Sequence, residues 1–278
     1  MLRSVSIELM WADRPYADRA VAAAQAGFDL VDLWDWRTSD IDAVARACRD
    51  HGIGIDGFFG NRDASLCDPG QRHDALEEIR RSLDVAVRVG ARQLHMFSNA
   101  IRPGGVVVPS PPLAPPALLE HCREGLVAAA ELVRGSGVTL ALEHLNTVFL
   151  PGYLWGEVGI TTSLVRELGL VEVGVVFDAF HQQLCGGRLA DHLRAALPWL
   201  IRVDVAEVPG RHEPGSGEID FGYLRGILDA AGWDGTISFE TVPSNGLPET
   251  AVAAINRVFP AEWARSRAGF SGGANGSA

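Results

Sequence analysis

The chain has 278 residues, 47% of them hydrophobic and 21% charged, and its 24 Lys+Arg against 35 Asp+Glu give a formal net charge of −11. This length suits one large α/β barrel or two small domains. The acidic balance argues against a nucleic-acid partner, because binding to phosphate backbones requires a basic surface. All 24 residues counted as Lys+Arg are arginine, and the absence of lysine excludes enzymes that need a Schiff-base or phosphate-binding lysine.

The sequence contains no apolar run approaching the roughly 20 residues of a membrane span. The N-terminus lacks the layout of a signal peptide, since Glu8 and Asp13 interrupt its short apolar stretch. The four cysteines are scattered and form no CxxC pair. We therefore expect a cytoplasmic protein that acts on a small-molecule substrate, without a membrane partner. The sequence does not determine the oligomeric state, and a homo-oligomer is one of the options.

Short apolar runs alternate with longer amphipathic segments along the chain. Eight runs predict strands, in the order SVSIEL, FDLVDLW, IGIDGFF, RQLHMF, VTLALEH, VEVGVVFD, LIRVDVAEV and GTISFET. Segments between them, such as ADRAVAAAQAG and ALEEIRRSLDVAVRVG, predict amphipathic helices. Several predicted helices end at a glycine that can adopt the left-handed C-cap conformation: Gly27, Gly52, Gly90, Gly137 and Gly232.

Eight βα units in about 260 residues predict an α/β fold of the (β/α)₈ TIM barrel type. An open doubly wound sheet would normally carry a Gly-rich fingerprint after its first strand, and IELMWADRP has none. We predict one barrel domain over residues 1–263, followed by a flexible Gly/Ser/Ala-rich tail over residues 264–278. The Pro-rich segment 102–116 is predicted to be a loop that could form a rim or lid.

Each of the last four predicted strands carries an acidic residue at or near its C-terminal end, where TIM barrels carry their chemistry. These residues are Glu143, Asp178, Asp204 and Glu240. Any one of them alone could be a solvated loop residue or a helix cap. Four converging carboxylates, however, would repel one another and raise their pKa values unless a cation lay among them. The pattern predicts a divalent-metal site, with Mg²⁺ or Mn²⁺ preferred by oxygen ligands and Zn²⁺ or Co²⁺ as alternatives.

Two further residues beside these acids are candidates for substrate binding. His181 follows Asp178 by three residues, and Arg211 lies in the loop AEVPGRHEPGSGEIDF after the seventh strand. Either could be structural or solvated, but arginine is the natural bidentate partner of a substrate carboxylate. We interpret His95 and Glu8 as interior barrel residues or as residues that support the ligands.

Four segments resemble the hydroxypyruvate isomerase family of the xylose isomerase-like barrel superfamily: LEHLNTVFLPGY, VVFDAFHQQLCGG, VDVAEVPGRHEPGSGEIDF and ISFETVPS. The PGRHEPGxGEI stretch is the most specific, and the resemblance extends from the first strand to about Pro260. It implies a metal held at the positions of the four acids, with Glu143 and Glu240 as an acid–base pair. It also implies that His181 and Arg211 contact the substrate.

The chain departs from this family on the seventh strand. The ligand there is usually Gln or His, whereas this chain has Asp204, and Arg202 stands where His is common. A fourth carboxylate is expected to tighten metal binding and to disfavour an acidic substrate through like charge. Arg202 would partly offset the extra charge if it turned inward.

We predict a metal-dependent isomerase, an intramolecular oxidoreductase of the aldose–ketose type. A metal that binds a carbonyl and an adjacent hydroxyl acidifies the C–H between them and stabilises an enediolate. One glutamate removes the proton, and it or its partner returns a proton to the neighbouring carbon. This chemistry interconverts hydroxypyruvate and tartronate semialdehyde, a 2-oxo-tetronate pair, or a ketose and an aldose.

Other functions remain open at this stage. A ketose 3-epimerase of the same superfamily typically carries another glutamate where this chain has Phe149. A dehydratase of the inosose or dehydroshikimate type needs the same metal and base. An apurinic endonuclease-like barrel is disfavoured, because its Asp-x-His is Gly210-Arg211-His212 here. A metal-free sugar-binding barrel is the non-enzymatic alternative.

Overall fold

A computed structural model gives the structure of this protein and describes residues 1–268. Its strands are β1 Leu2–Ser6, β2 Leu30–Asp32, β3 Gly54–Ile55, β4 Gly57–Phe59, β5 Gln93–Met96, β6 Ile101–Arg102, β7 Val106–Val107, β8 Thr139–Glu143, β9 Val173–Asp178, β10 Leu200–Val205 and β11 Thr236–Phe239. Nine of them form one parallel sheet in the order β3-β2-β1-β11-β10-β9-β8-β5-β4, while β6 and β7 form an antiparallel hairpin. The sheet is a nearly closed barrel, so the predicted TIM-barrel fold is confirmed.

The predicted third strand is divided at Asp56. β3 pairs with β2, and β4 pairs with β5, so the two ends of the sheet meet at this point. The Asp56 N–H donates to the Val31 carbonyl at 2.7 Å, and its carbonyl accepts from the N–H groups of Arg92 and Gln93 at 2.9 Å. Asp56 therefore joins both neighbouring strands, and the eight predicted strands are all present.

Helices surround the barrel: α1 Tyr16–Gln25, α2 Ile41–Asp50, α3 Arg72–Val89, α4 Pro115–Val133, α5 Val158–Leu168, α6 Ala179–Cys185, α7 Leu189–Ala196, α8 Phe221–Ala230, α9 Pro248–Val258 and α10 Ala261–Ala268. Gly90 ends α3 in the left-handed conformation at φ 76°, and its N–H donates to the Ala86 carbonyl. The other four glycines that were predicted to end helices also have positive φ. Within residues 1–268, no helix combines the length and the apolarity that a bilayer crossing requires.

The longer strands of the barrel sheet are buried on both faces, as their near-continuous apolar runs predict. All six residues of β9 are buried, and one hydrophobic core joins the strands to the helices. The interior of the barrel also holds charged side chains, because Arg202, Asp32 and Asp56 are all buried. The centre of the barrel is therefore polar, and this polar centre lies directly beside the ends of the strands that carry the predicted site.

Two segments differ from the sequence-based expectations. Residues 264–268, which the sequence assigns to a flexible tail, form the end of α10, and Ala264 is buried. The remainder of the predicted tail, 269–278, lies outside the described residues. The Pro-rich segment is more ordered than a loop, because it contains most of the β6–β7 hairpin and the start of α4, where Pro115 and Pro116 occupy the first helical turn.

Candidate active site

The structure brings the four predicted carboxylates together at the C-terminal end of the barrel. Glu143 and Asp178 end β8 and β9, Asp204 lies on β10 beside Asp178, and Glu240 directly follows β11. One oxygen from each of these residues lies within 4.8 Å of the others, and all four residues are buried. Parallel strands that end at the same rim explain this convergence. We call these four residues the carboxylate cluster.

Glu143 is held in its ionised form. The His95 side chain contacts it, with 2.9 Å between Nδ1 and Oε2. Burial alone raises the pKa of Glu143, but the hydrogen bond and charge of His95, with the charges of Arg202 and Arg211, lower it overall. Its Oε1 has no protein hydrogen-bond partner among residues 1–268, and Glu143 lines the cavity. His95 was predicted to be interior, and its contact with Glu143 places it within the site.

The pKa values of Asp178 and Glu240 are raised, in contrast to the lowered pKa of Glu143. Burial raises the pKa of Asp178 to about 8, with the charges of Glu240 and Glu143 adding to the effect and Arg211 opposing it. Burial likewise raises the pKa of Glu240, which Arg211 opposes and Glu143 reinforces. Both Glu240 oxygens accept hydrogen bonds, Oε1 from the Trp34 indole and Oε2 from Arg211. Without a cation, this cluster therefore binds protons.

The two carboxylate oxygens of Asp204 have different surroundings. Its Oδ1 accepts from Arg202 Nε at 2.5 Å, whereas its Oδ2 is buried without a hydrogen-bond partner in the described part of the chain. Arg202 turns into the barrel and is also held by Asp56 at 2.7 Å and Asp32 at 3.0 Å. An unpartnered buried oxygen beside three other carboxylates fits a divalent cation with oxygen ligands.

His181 presents a hydrogen-bond donor to the site. Its Nδ1 accepts from the backbone N–H of Asn146 at 2.8 Å, so the neutral ring carries its proton on Nε2. Burial and the charge of Arg211 hold the pKa of His181 well below its ordinary value, which keeps the ring neutral. Nε2 lies 3.7 Å from Asp178 Oδ2. With its proton on Nε2, this side chain is suited to a substrate oxygen and not to metal ligation.

Arg211 reaches the site from the loop of residues 206–220. The loop is fixed by the buried Glu207, whose carboxylate accepts from the N–H groups of Gly215 at 2.9 Å and Ile219 at 3.0 Å. Arg211 adopts φ 56°, and its Nη2 pairs with Glu240. Much of the guanidinium is therefore already engaged by the protein, while Nη1 lies 3.4 Å from His181 Nε2.

A cavity of about 640 Å³ opens above the carboxylate cluster. One wall is aromatic: Trp34 stacks on Phe59 at an interplanar angle of 15°, and Phe59 meets Phe97 edge-on at 4.8 Å. Sequence reasoning did not identify these residues. Trp34 and Phe59 lie at or just after the ends of the second and third strands, so the strand-end rule that located the acids would have found them.

Comparisons with known proteins agree with this architecture. Residues 20–259 match the xylose isomerase-like TIM barrel family. The 2-oxo-tetronate isomerase of Cupriavidus necator is 28% identical over 258 residues, which cover 87% of this chain and 93% of the relative. The putative hydroxypyruvate isomerase of Homo sapiens is 28% identical, with 81% of this chain and 83% of the relative covered.

Solved structures show the same fold. An AP endonuclease of family 2 from Brucella melitensis has a TM-score of 0.79 at 25% identity, over 94% of this chain and 99% of that chain. The 3-keto-D-glucoside 4-epimerase of Escherichia coli has a TM-score of 0.76 at 20% identity, over 96% and 99% of the two chains. These matches confirm the resemblance seen in the sequence, and the chain belongs to the xylose isomerase-like TIM barrel family.

Proposed function

We propose that this protein is a divalent-metal-dependent isomerase that moves a carbonyl group by one carbon in a small hydroxy-oxo acid or a sugar-like ketose/aldose pair. The carboxylate cluster carries the proposal, because four buried acids with oxygens within 4.8 Å of one another could hold a divalent cation, which would relieve their repulsion. Relatives named 2-oxo-tetronate isomerase and hydroxypyruvate isomerase support the reaction class.

The carboxylate cluster offers only oxygen ligands, a donor set that suits Mg²⁺ or Mn²⁺. Glu143, Asp178, Asp204 and Glu240 would hold the ion. When bound, it would polarise the carbonyl and hydroxyl oxygens of the substrate and acidify the C–H between them.

The protein's own groups can carry out the proton transfers. Glu143 lines the cavity, and His95 holds one of its oxygens and leaves the other without a hydrogen bond from residues 1–268, so this carboxylate can accept the proton from the substrate carbon. Glu240 lies across the cluster, and the donors Trp34 and Arg211 fix its orientation. It is the partner that can exchange a proton at the neighbouring carbon.

The remaining polar groups orient the substrate. The Nε2–H of His181 can donate to a substrate hydroxyl or carbonyl, and the Nη1 of Arg211 lies beside it. The aromatic wall excludes water from the reacting carbons. Where 3-epimerases typically carry a further glutamate, Phe149 stacks on Phe180 at 6.2 Å, so no additional acid is supplied there. This observation favours an isomerase over an epimerase.

A substrate screen tests the proposal. Hydroxypyruvate, 2-oxo-tetronates and free ketoses are incubated with the protein and Mg²⁺ or Mn²⁺ in D₂O, and the products are followed by proton NMR. We expect a shift of the carbonyl position for at least one substrate, and its loss when EDTA is added. Turnover that persists in EDTA would contradict metal dependence. Inversion at one carbon would instead identify an epimerase, and loss of water a dehydratase.

A further inference from the structure

Four arginines line the cavity, and they differ in whether a carboxylate neutralises them. Three are paired: Arg202 with Asp204 at 2.5 Å, Arg211 with Glu240, and Arg62 with Asp35 at 2.9 Å. Arg102 is exposed, and its side chain has no ion pair or hydrogen bond within residues 1–268. Among these four, Arg102 therefore has a positive charge that the protein itself does not use.

Arg102 is held in place by its hairpin. The Ile101 N–H donates to the Arg62 carbonyl at 2.8 Å, and Arg62 Nε donates back to the Ile101 carbonyl at 3.2 Å. The turn that follows contains Gly104 and Gly105, whose φ values of 83° and 76° favour glycine, and both residues line the cavity. A hairpin anchored in this way presents Arg102 at the cavity wall.

The charges along the cavity are therefore asymmetric. Its inner end holds the carboxylate cluster, which repels a further anionic group, and the chain as a whole carries −11. An acidic substrate thus lies most favourably with its reacting carbons at the cluster and its carboxylate toward the hairpin. Arg211 is less suited to bind that carboxylate, because its Nη2 already pairs with Glu240.

We propose that Arg102 determines specificity by binding the carboxylate of an acidic substrate and orienting its hydroxy-oxo carbons toward Glu143 and Glu240. The inference rests on the proposed function, because it takes the substrate to be a hydroxy-oxo acid. A guanidinium can bind such a carboxylate through two parallel hydrogen bonds. Arg102 would thereby overcome the repulsion that the fourth acid of the cluster introduces.

Binding of tartronate to the Mg²⁺-saturated protein, measured by calorimetry, tests this role without requiring turnover. We expect Arg102→Gln to raise the Kd about tenfold, as loss of a charge-assisted hydrogen bond implies. Arg102→Lys, which keeps the charge but loses the paired hydrogen bonds, should raise the Kd by a smaller factor than Arg102→Gln. The control is Arg46→Gln, which removes an equal charge from the exposed face of α2 and should leave the Kd unchanged.

Two results would overturn the inference: an unchanged Kd in Arg102→Gln, or an equal loss in Arg46→Gln. Kinetics provide a second readout, since the loss in Arg102→Gln should fall chiefly on KM for hydroxypyruvate and should shrink as NaCl is added. These experiments distinguish a failure of the proposed function from a failure of the role proposed for Arg102. If no substrate is isomerised but tartronate binding still depends on Arg102, the proposed function is wrong and the binding role stands.

Discussion

Asp204 is the residue at which this chain departs most clearly from the family it resembles, and its surroundings account for the change. The carboxylate lies among three other acids, but its Oδ1 is bound by Arg202 at 2.5 Å. Arg202 is in turn fixed by Asp56 and Asp32, so its position is determined from three sides. A buried ion pair of this kind supplies the countercharge that a fourth carboxylate needs and leaves Oδ2 available for a cation.

We expect Asp204→Gln to weaken Mg²⁺ or Mn²⁺ binding and to keep activity at saturating metal. The substitution removes one negative ligand and restores the residue type usual in the family. The metal concentration for half-maximal activity should rise roughly tenfold, because affinity depends on the number of charged ligands. The KM for an anionic substrate should fall, since the substitution removes one negative charge that repels the substrate.

Activity titrations against metal provide the measurement. Asp84→Gln on the exposed face of α3 is the matched control, because it removes the same charge far from the carboxylate cluster. Superimposable metal curves for wild type and Asp204→Gln would show that Asp204 is not a ligand.

Residue types at strand ends could be predicted from the sequence, but their partners could not. Glu143, Asp178 and Glu240 each follow an apolar run and Asp204 lies near the end of its strand, so the barrel pattern alone places the four acids at one rim. Asp204 is two residues from Arg202 on the same strand, but the two other carboxylates around this arginine, Asp32 and Asp56, come from distant parts of the chain. Which of them an inward arginine reaches depends on strand register and rotamers, and short apolar strands do not specify either.

At the scale of elements, the loop of residues 206–220 illustrates how a motif can be recognised before its physical role is known. The sequence marks PGRHEPGxGEI as specific and predicts that Arg211 contacts the substrate. The structure adds that two buried glutamates fix the loop. Glu207 accepts two backbone N–H groups of the loop, and Glu213 accepts from the N–H and hydroxyl of Ser244.

Glu207→Ala should destabilise the protein by about 2–4 kcal/mol, because it leaves the N–H groups of Gly215 and Ile219 without their charged acceptor. Urea unfolding followed by circular dichroism measures the change. Glu167→Ala on the exposed face of α5 is the control and should lie within about 0.5 kcal/mol of wild type. A similarly small change for Glu207→Ala would mean that this carboxylate does not hold the loop.

The β6–β7 hairpin could not be predicted for a related reason. Its strands have two residues each and lie in a segment rich in proline and glycine, a composition typical of loops. Its contacts with Arg62, on the loop after β4, decide its position, and these are tertiary contacts. The periodic helices that the sequence analysis names and the eight predicted strands, by contrast, depend on local pattern and are present in the structure.

At the scale of the whole molecule, stability and metal binding should be linked through pH. Burial raises the pKa of Asp178 from 3.8 to about 8 and raises those of Asp204 and Glu240. In the metal-free protein these groups keep protons that the unfolded chain loses. Their contribution to stability is therefore fully present below the pKa that these carboxyl groups have in the unfolded chain. It is lost as pH rises toward about 8, the pKa of Asp178 in the folded protein.

The difference in Tm between the Mg²⁺-saturated and the EDTA-treated protein should therefore grow from pH 6 to pH 8.5. The cation replaces the protons, and each 1 kcal/mol gained raises Tm by about 2–4 °C for a chain of this size class. Differential scanning calorimetry at several pH values measures it, with Asp204→Gln expected to show a smaller increase. A difference that stays constant with pH would mean that protons and metal do not compete for the same carboxylates.

In the proposed function, Glu143 and Glu240 transfer protons within a carboxylate cluster that holds a divalent metal. The most direct test is the kcat of Glu143→Gln and of Glu240→Gln at saturating Mg²⁺ or Mn²⁺, measured by proton NMR on the substrate that the wild type isomerises best. Each substitution removes a proton-transfer group, so kcat should fall at least about 10²-fold while the circular dichroism spectrum is retained. Glu167→Gln, on the exposed face of α5, should keep wild-type turnover. Near-wild-type turnover in either cluster variant would contradict the account.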